Sequence, residues 1–130
     1  HMINLLETKR IKEEIEKKPA DYLNIIEKAS MGICITNAEG MFVAVNENYT
    51  KIYGYKREEL IGTHFSIVVP DGNKEYLKKL HDEFMKNKFE ILRNWEVKKR
   101  SGEIMKISAD AGYSEKINGK PHKITFVQPD

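Results

Sequence analysis

The chain has 130 residues, 40% hydrophobic and 32% charged, with 22 basic against 20 acidic side chains for a net charge of +2. That length holds one soluble globular domain with a single core of modest size, and the interleaving of Lys and Arg with Glu argues against a nucleic-acid surface. The single cysteine, Cys34, excludes an intrachain disulfide and a Cys-based zinc site, and it fits a reducing, cytoplasmic location.

His1-Met2 reads as a cloning remnant. No signal peptide is visible, because "INLLETKRIKEE" turns charged at once, and apolar runs such as "MFVAV" are too short to span a membrane. Residues 3–18 predict a charged helix whose thin apolar stripe, Ile11 and Ile15 with Leu5 or Leu6 a turn or two earlier, needs a partner surface. Pro19 breaks it, and "ADYLNIIEKAS" resumes a helix with Tyr22, Ile25, Ile26 and Ala29 on one side.

"GICIT" and "MFVAV", joined by the turn "NAEG", predict a hairpin. Alternation puts Cys34 and Thr36, then Phe42 and Ala44, on one face; Ile33, Ile35, Val43 and Val45 take the other. A sheet apolar on both faces must be covered on both. Asn46 is an N-cap for a short helix with Tyr49, Ile52 and Tyr53 on one side, and Gly54 stops it. "KREEL" and "THFSIVV" give two further fragments, closed by "PDGN". Residues 73–87 form an amphipathic helix with Tyr76, Leu77, Leu80 and Phe84 at helical spacing. Residues 89–100, 103–114 and "PHKITFVQ" are three strands separated by the turns "SG" and "KING", and consecutive antiparallel pairing is the default. The whole is an α+β domain with one antiparallel sheet of five strands.

The ordered set "GICITNAEGMFVAVNENYTKIYGYKREELIG", "KKRSGEIMKISADAGYSEKINGKPHKITFV" and the closing "PD" resembles a PAS domain over residues 20–130, leaving residues 1–19 as an amphipathic helix and linker. The resemblance implies a sheet in spatial order 2-1-5-4-3, short helices on one face and the N-terminal helix outside. It implies a sensory module of a larger regulator, such as a histidine kinase in a two-component system, a cyclic-di-nucleotide enzyme or a transcription regulator. That module binds a small ligand between sheet and helices and relays through its flanking helices to an output domain of the same full-length chain. The alternative is a ligand-free module for dimerisation and protein–protein contact.

The cofactor is left unknown. Flavin members of the family that form a covalent adduct carry a cysteine where this chain reads "THFSIVV", and Cys34 on the first strand cannot take that part. Gln128 stands where flavin members have a glutamine reaching the ring, or is a polar residue at a sheet margin. Haem members place an axial histidine a few residues before a tyrosine on the longer helix. Here His81 follows Tyr76, as a surface or half-buried residue rather than a ligand. No metal site is predicted, since His64 and His122 lack a partner at metal spacing.

The expected inward residues are Cys34, Thr36, Phe42, Ala44, Tyr49 and Ile52, with Trp95, Val97, Met105, Ile107, Ala109, Ala111, Ile124, Phe126 and Gln128 from the later strands. They surround either a ligand cavity or a filled core, and Tyr49 is expected to face Trp95. Leu6, Ile11, Ile15, Ile33, Ile35, Val43 and Val45 form the outer packing face, covered by the N-terminal helix in cis or by exchange in a homodimer, the preferred assembly. No nucleophile–base pair stands out, and Asp110 is expected to point to solvent, so no catalysis is predicted.

Overall fold

Asn4 caps the first helix, its Oδ1 accepting from the Glu7 amide at 3.0 Å. In the computed structural model, which describes residues 3–89 and 93–130, α1 then runs Leu5–Lys17. Pro19 begins a 3-10 turn, Pro19–Asp21, in the first-turn position that a proline tolerates, and α2 follows at Tyr22–Glu27. Strands β1 (Gly32–Asn37) and β2 (Phe42–Val45) form the first hairpin. Its turn is held by Asn37, whose Oδ1 accepts from the amides of Glu39 at 3.1 Å and Met41 at 2.9 Å.

The helical fragments come next: α3 (Glu47–Tyr53), α4 (Arg57–Leu60), a 3-10 turn at Phe65–Val68, and α5 (Lys74–Asn87). Strands β3 (Arg93–Lys98), β4 (Ile104–Ser114) and β5 (His122–Pro129) complete the chain. Of the strand expected over 89–100, residues 90–92 lie outside the described residues. All pairings are antiparallel, and the five strands stand in the order β2-β1-β5-β4-β3.

The sheet separates two apolar clusters. On the outer face Ile11 and Ile15 of α1 and Ile25 and Ile26 of α2 pack with Ile33, Ile35, Ala44, Ile124 and Phe126. On the inner face Cys34, Phe42, Val45, Ile107, Ala109 and Val127 meet Tyr49, Tyr53, Leu60 and Val68 from the short helices. The outer face is therefore covered in cis, by this chain's own first helix.

Asp110 overturns the expectation that it points to solvent. It is buried on β4 beneath α1, accepting from Thr8 Oγ1 at 2.7 Å and from Lys12 Nζ at 2.9 Å. Its side chain fastens helix to sheet. Leu6 was expected on that packing face but is 83% exposed. Counting back a helical turn from Ile11 reaches Thr8, which is buried and takes the inward place.

Two strand phases also differ from simple alternation. Ile35 pairs with Ala44 but Thr36 pairs with Phe42, so Val43 is an extra residue in a β-bulge. The bulge turns Val45 into the inner cluster and Ala44 into the outer one, the reverse of the expected assignment. On β5, Asp110 pairs with Phe126, Gly112 with Ile124 and Ser108 with Gln128. Ile124, Phe126 and Gln128 therefore share the outer face with Asp110. The inner face of β5 is Lys123, Thr125 and Val127, and the apolar cover supplied by α1 is why the greasier phase faces outward.

Candidate functional site

Gly32 sets how closely the helical layer approaches the sheet. A Cβ there would lie 2.9 Å from Ile52 Cδ1 and from Val127 Cγ2, and 3.2 Å from Tyr49 Cα. Only a glycine lets α3 cross β1 at that range. The start of α3 is then fixed by Asn46, which has no exposed surface. Its Oδ1 accepts from the amides of Ile33 at 2.9 Å and Tyr49 at 3.0 Å, while its Nδ2 donates to the carbonyls of Ile26 at 2.8 Å and Met31 at 3.0 Å. One side chain thus joins α2, β1 and α3 with its hydrogen-bonding capacity filled.

Farther along the inner face the layers part. Thr36, Phe42, Lys123 and Thr125 from the sheet, Val68 and Val69 from the connecting segment, and Leu77, Leu80 and His81 from α5 surround a cavity, with Trp95, Glu96 and Val97 of β3 at its side. It offers about 80 Å³ to the centres of water-sized molecules. A single water needs roughly 10–15 Å³ on that measure, so there is room for several waters or a small organic molecule. An adjoining surface cleft between α5 and β3 shares Leu77, Leu80, Trp95 and Glu96 with it.

The deep wall is polar in a specific way. Cys34, Tyr49 and Tyr53 lie together there, with Thr125 beside Cys34 on the neighbouring strand. Burial, the largest effect, pushes the Cys34 thiol up to about 11 and carries both tyrosines well above their ordinary range. These groups stay protonated at neutral pH and act as hydrogen-bonding partners, not as nucleophiles or bases. Tyr49 stacks on Tyr53 with centroids 4.3 Å apart and meets Phe42 edge-on at 5.9 Å.

Two basic residues complete the wall. Lys123 is 8% exposed, with its Nζ 4.6 Å from the centroid of the Phe84 ring. His81 is buried, contrary to the surface or half-buried position expected for it, and its Nε2 lies 3.2 Å from the Ala38 carbonyl oxygen. Desolvation first, and the Lys123 charge after it, lower its pKa below the usual histidine value, so it is neutral at pH 7.

Of the residues expected to line a cavity, Cys34, Thr36, Phe42, Tyr49, Trp95 and Val97 do so. Ile52, Ile107 and Ala109 belong to the same inner cluster without reaching the cavity wall. Ile124, Phe126 and Gln128 are on the opposite side of the sheet, which removes Gln128 as a ring-reaching glutamine. Lys123, Thr125 and His81 were missed. The signal that could have found the first two is the pairing of Gly32 with Val127, which places Val127, Thr125 and Lys123 on one inner row.

The comparisons with known proteins agree with this architecture. The family described as PAS fold matches residues 20–130. The PAS domain of a Desulfitobacterium hafniense protein superposes with a TM-score of 0.74 at 22% identity, covering 82% of this chain and 99% of that one. A domain of a sensory box sensor histidine kinase/response regulator from Geobacter sulfurreducens gives 0.69 at 19% identity, covering 90% and 98%. The PAS domain of a LuxR-family transcriptional regulator from Burkholderia thailandensis, solved in complex with ethanol, gives 0.66 at 14% identity, covering 84% and 96%. Among curated proteins nothing matches.

Proposed function

The chain belongs to the PAS family, and we propose that it is a sensory module that binds a small molecule in the cavity between its sheet and its short helices. PAS domains of histidine kinases and regulators are sensory modules. The observation that supports a ligand here is the cavity itself. It is small, bounded by apolar side chains, and carries hydroxyl, thiol, imidazole and ammonium groups on its deep wall. Mostly apolar walls with a few placed polar groups are the general form of a ligand site. A solved relative in this fold holds ethanol, a molecule of comparable bulk.

The same reading gives the relay to α1. The strands whose inner side chains meet the ligand bear α1 on their outer side, fastened by Thr8 and Lys12 to Asp110. The face expected to pair two subunits is occupied by this helix, so we assign it to relay within the chain. An output domain of a larger regulator would receive the signal, and no catalysis is assigned to this domain.

The test is a melting-temperature screen of the purified domain against small metabolites, with mass spectrometry of the denatured protein for a co-purified guest. A ligand that binds only the folded state raises the melting temperature by mass action. A saturable rise that a bulky substitution at Thr36 abolishes supports the reading. A domain unmoved by any compound and free of guests points instead to a ligand-free interaction module.

A further inference from the structure

The 3-10 turn Phe65–Val68 supplies part of the cavity wall, through Phe65 and Val68. Side chains of different kinds hold its two ends. At the far end Lys74 Nζ donates to the carbonyls of Ser66 at 2.6 Å and Val69 at 3.1 Å. At the near end His64 is the N-cap, its Nδ1 accepting from the Ser66 amide at 3.1 Å. A backbone N–H can only donate, so this bond requires the neutral ring with its lone pair on Nδ1. We propose that His64 is a proton-operated latch on the cavity wall: protonation of Nδ1 removes the acceptor, uncaps the turn and loosens Phe65 and Val68. The latch goes beyond the sensory reading, since it acts whatever the cavity holds.

Three observations carry it. The neighbouring amides have backbone acceptors: Phe65 donates to the Gly40 carbonyl at 2.9 Å and Ile67 to the His64 carbonyl at 3.2 Å, leaving the imidazole as the acceptor for Ser66. The ring is also confined. It stacks on Phe65 with centroids 4.4 Å apart, and a Cβ on Gly40 would lie 2.8 Å from its Nε2 and from Phe65 Cε2. Seated between the hairpin turn and Phe65, it cannot turn away without shifting Phe65. Finally, the surroundings favour the neutral ring. On α5 Lys78 and Lys74 oppose a further positive charge and Asp82 favours it, while His81 packs on the Phe65 ring at 5.1 Å. Glu39 of the hairpin turn is exposed, and Ser66–Val69 carry no charge. Desolvation first, and Lys78 next, hold His64 below its ordinary value of 6.5. The cap is therefore complete above that value and is lost as pH falls through the folded one. The ammonium bonds at the far end need no lone pair on nitrogen and persist.

The experiment is an NMR titration of the isotope-labelled domain from about pH 8 to about pH 5, the range in which a histidine changes charge. It follows the His64 ring nitrogens, the Ser66 amide and the Val68 methyl groups. Nδ1 is expected to be the unprotonated nitrogen at the alkaline end. On acidification the Ser66 amide and the Val68 methyls should shift with the midpoint of the His64 ring. Protection of the Ser66 amide from hydrogen exchange should fall by about 5- to 30-fold, the loss of one cap. In His64→Asn, whose side-chain oxygen caps without titrating, the Ser66 and Val68 signals should stay level. Protonation of the wild-type ring with both signals unmoved would overturn the latch, and that result needs no variant to fold. A midpoint that persists in His64→Asn and vanishes in His81→Gln would overturn it as well, passing the titration to His81. No ligand enters the measurement, so either failure leaves the sensory reading standing.

Discussion

Replacing Asn46 by alanine should cost far more than an ordinary helix cap. The exposed cap Asn4 offers the calibration, since it satisfies the Glu7 amide at the surface; its loss should cost about 1 kcal/mol or less. At Asn46 the same capping bond to Tyr49 is lost, and the Ile33 amide and the Met31 carbonyl lose a buried partner as well. The Ile26 carbonyl keeps the Ala29 amide at 3.3 Å. With about 1 kcal/mol for the cap and about 1–3 for each of the two buried groups left unpaired, the total is about 3–7 kcal/mol. Against a typical domain stability of about 5–15 kcal/mol, that is a large fraction. Urea unfolding followed by circular dichroism and Trp95 fluorescence measures it. Asn46→Asp adds a sign test. A buried carboxylate facing the Ile26 and Met31 carbonyls has its pKa raised on folding, so the penalty is absent in acid and grows as pH rises through that raised value. Its deficit relative to Asn46→Ala should therefore shrink on acidification. If Asn46→Ala costs no more than Asn4→Ala, the three-way clamp is not a source of stability and the reasoning fails.

Asp110→Asn should weaken the charge-assisted bonds from Thr8 and Lys12 by about 1–3 kcal/mol, read as faster hydrogen exchange in α1 with the sheet amides unchanged; equal loss of protection in both would mean that α1 is not a separable unit. Cys34, pushed up to about 11, should resist a thiol reagent at pH 8 in the native protein and react fully after unfolding. Rapid native labelling would contradict its burial. Burial lowers the pKa of His81 on folding, so its contribution to stability is complete above the unfolded value near 6.5 and is lost as pH falls through the folded one. His64 is shifted the same way, again mainly by desolvation. Unfolding free energy should fall between about pH 7 and pH 5, less steeply in His81→Gln; an unaltered slope would remove His81 as its source.

The order of elements was legible because each carries local punctuation. Asn46 and Gly54 bracket α3, Pro19 separates α1 from α2, and the Asn37 turn closes the first hairpin. The sheet order and the PAS relationship followed from the motifs in sequence. Side-chain facing was less legible, for two physical causes. The bulge at Val43 shifts alternation by one residue, and a bulge in an all-apolar strand leaves no polar residue to betray it. On β5 the difficulty is the double cover: with α1 on one side and the short helices on the other, both phases are buried, and hydrophobicity no longer says which side is in. Lys123 and Thr125 lie on the phase opposite the one expected to face inward, and polar residues on strands usually face solvent. Asp110 was misplaced for the same reason, since its partners lie about a hundred residues away, at separations of 102 and 98.

The alternation of β5 also makes the sheet a partition one side chain thick. Thr125, which touches the cavity, sits between Ile124 and Phe126, which are buried in the outer cluster beneath α1 and α2. Lys12 of α1 reaches over the Phe126 ring at 5.7 Å, and Gly112 of β4 has no side chain to hold that lysine away: a Cβ there would come within 3.1 Å of three of its carbons. Space on the two sides is therefore negotiated through the same backbone. A guest that draws β5 inward withdraws the floor from beneath Lys12, and a helix pressed harder onto Phe126 narrows the room left for the guest.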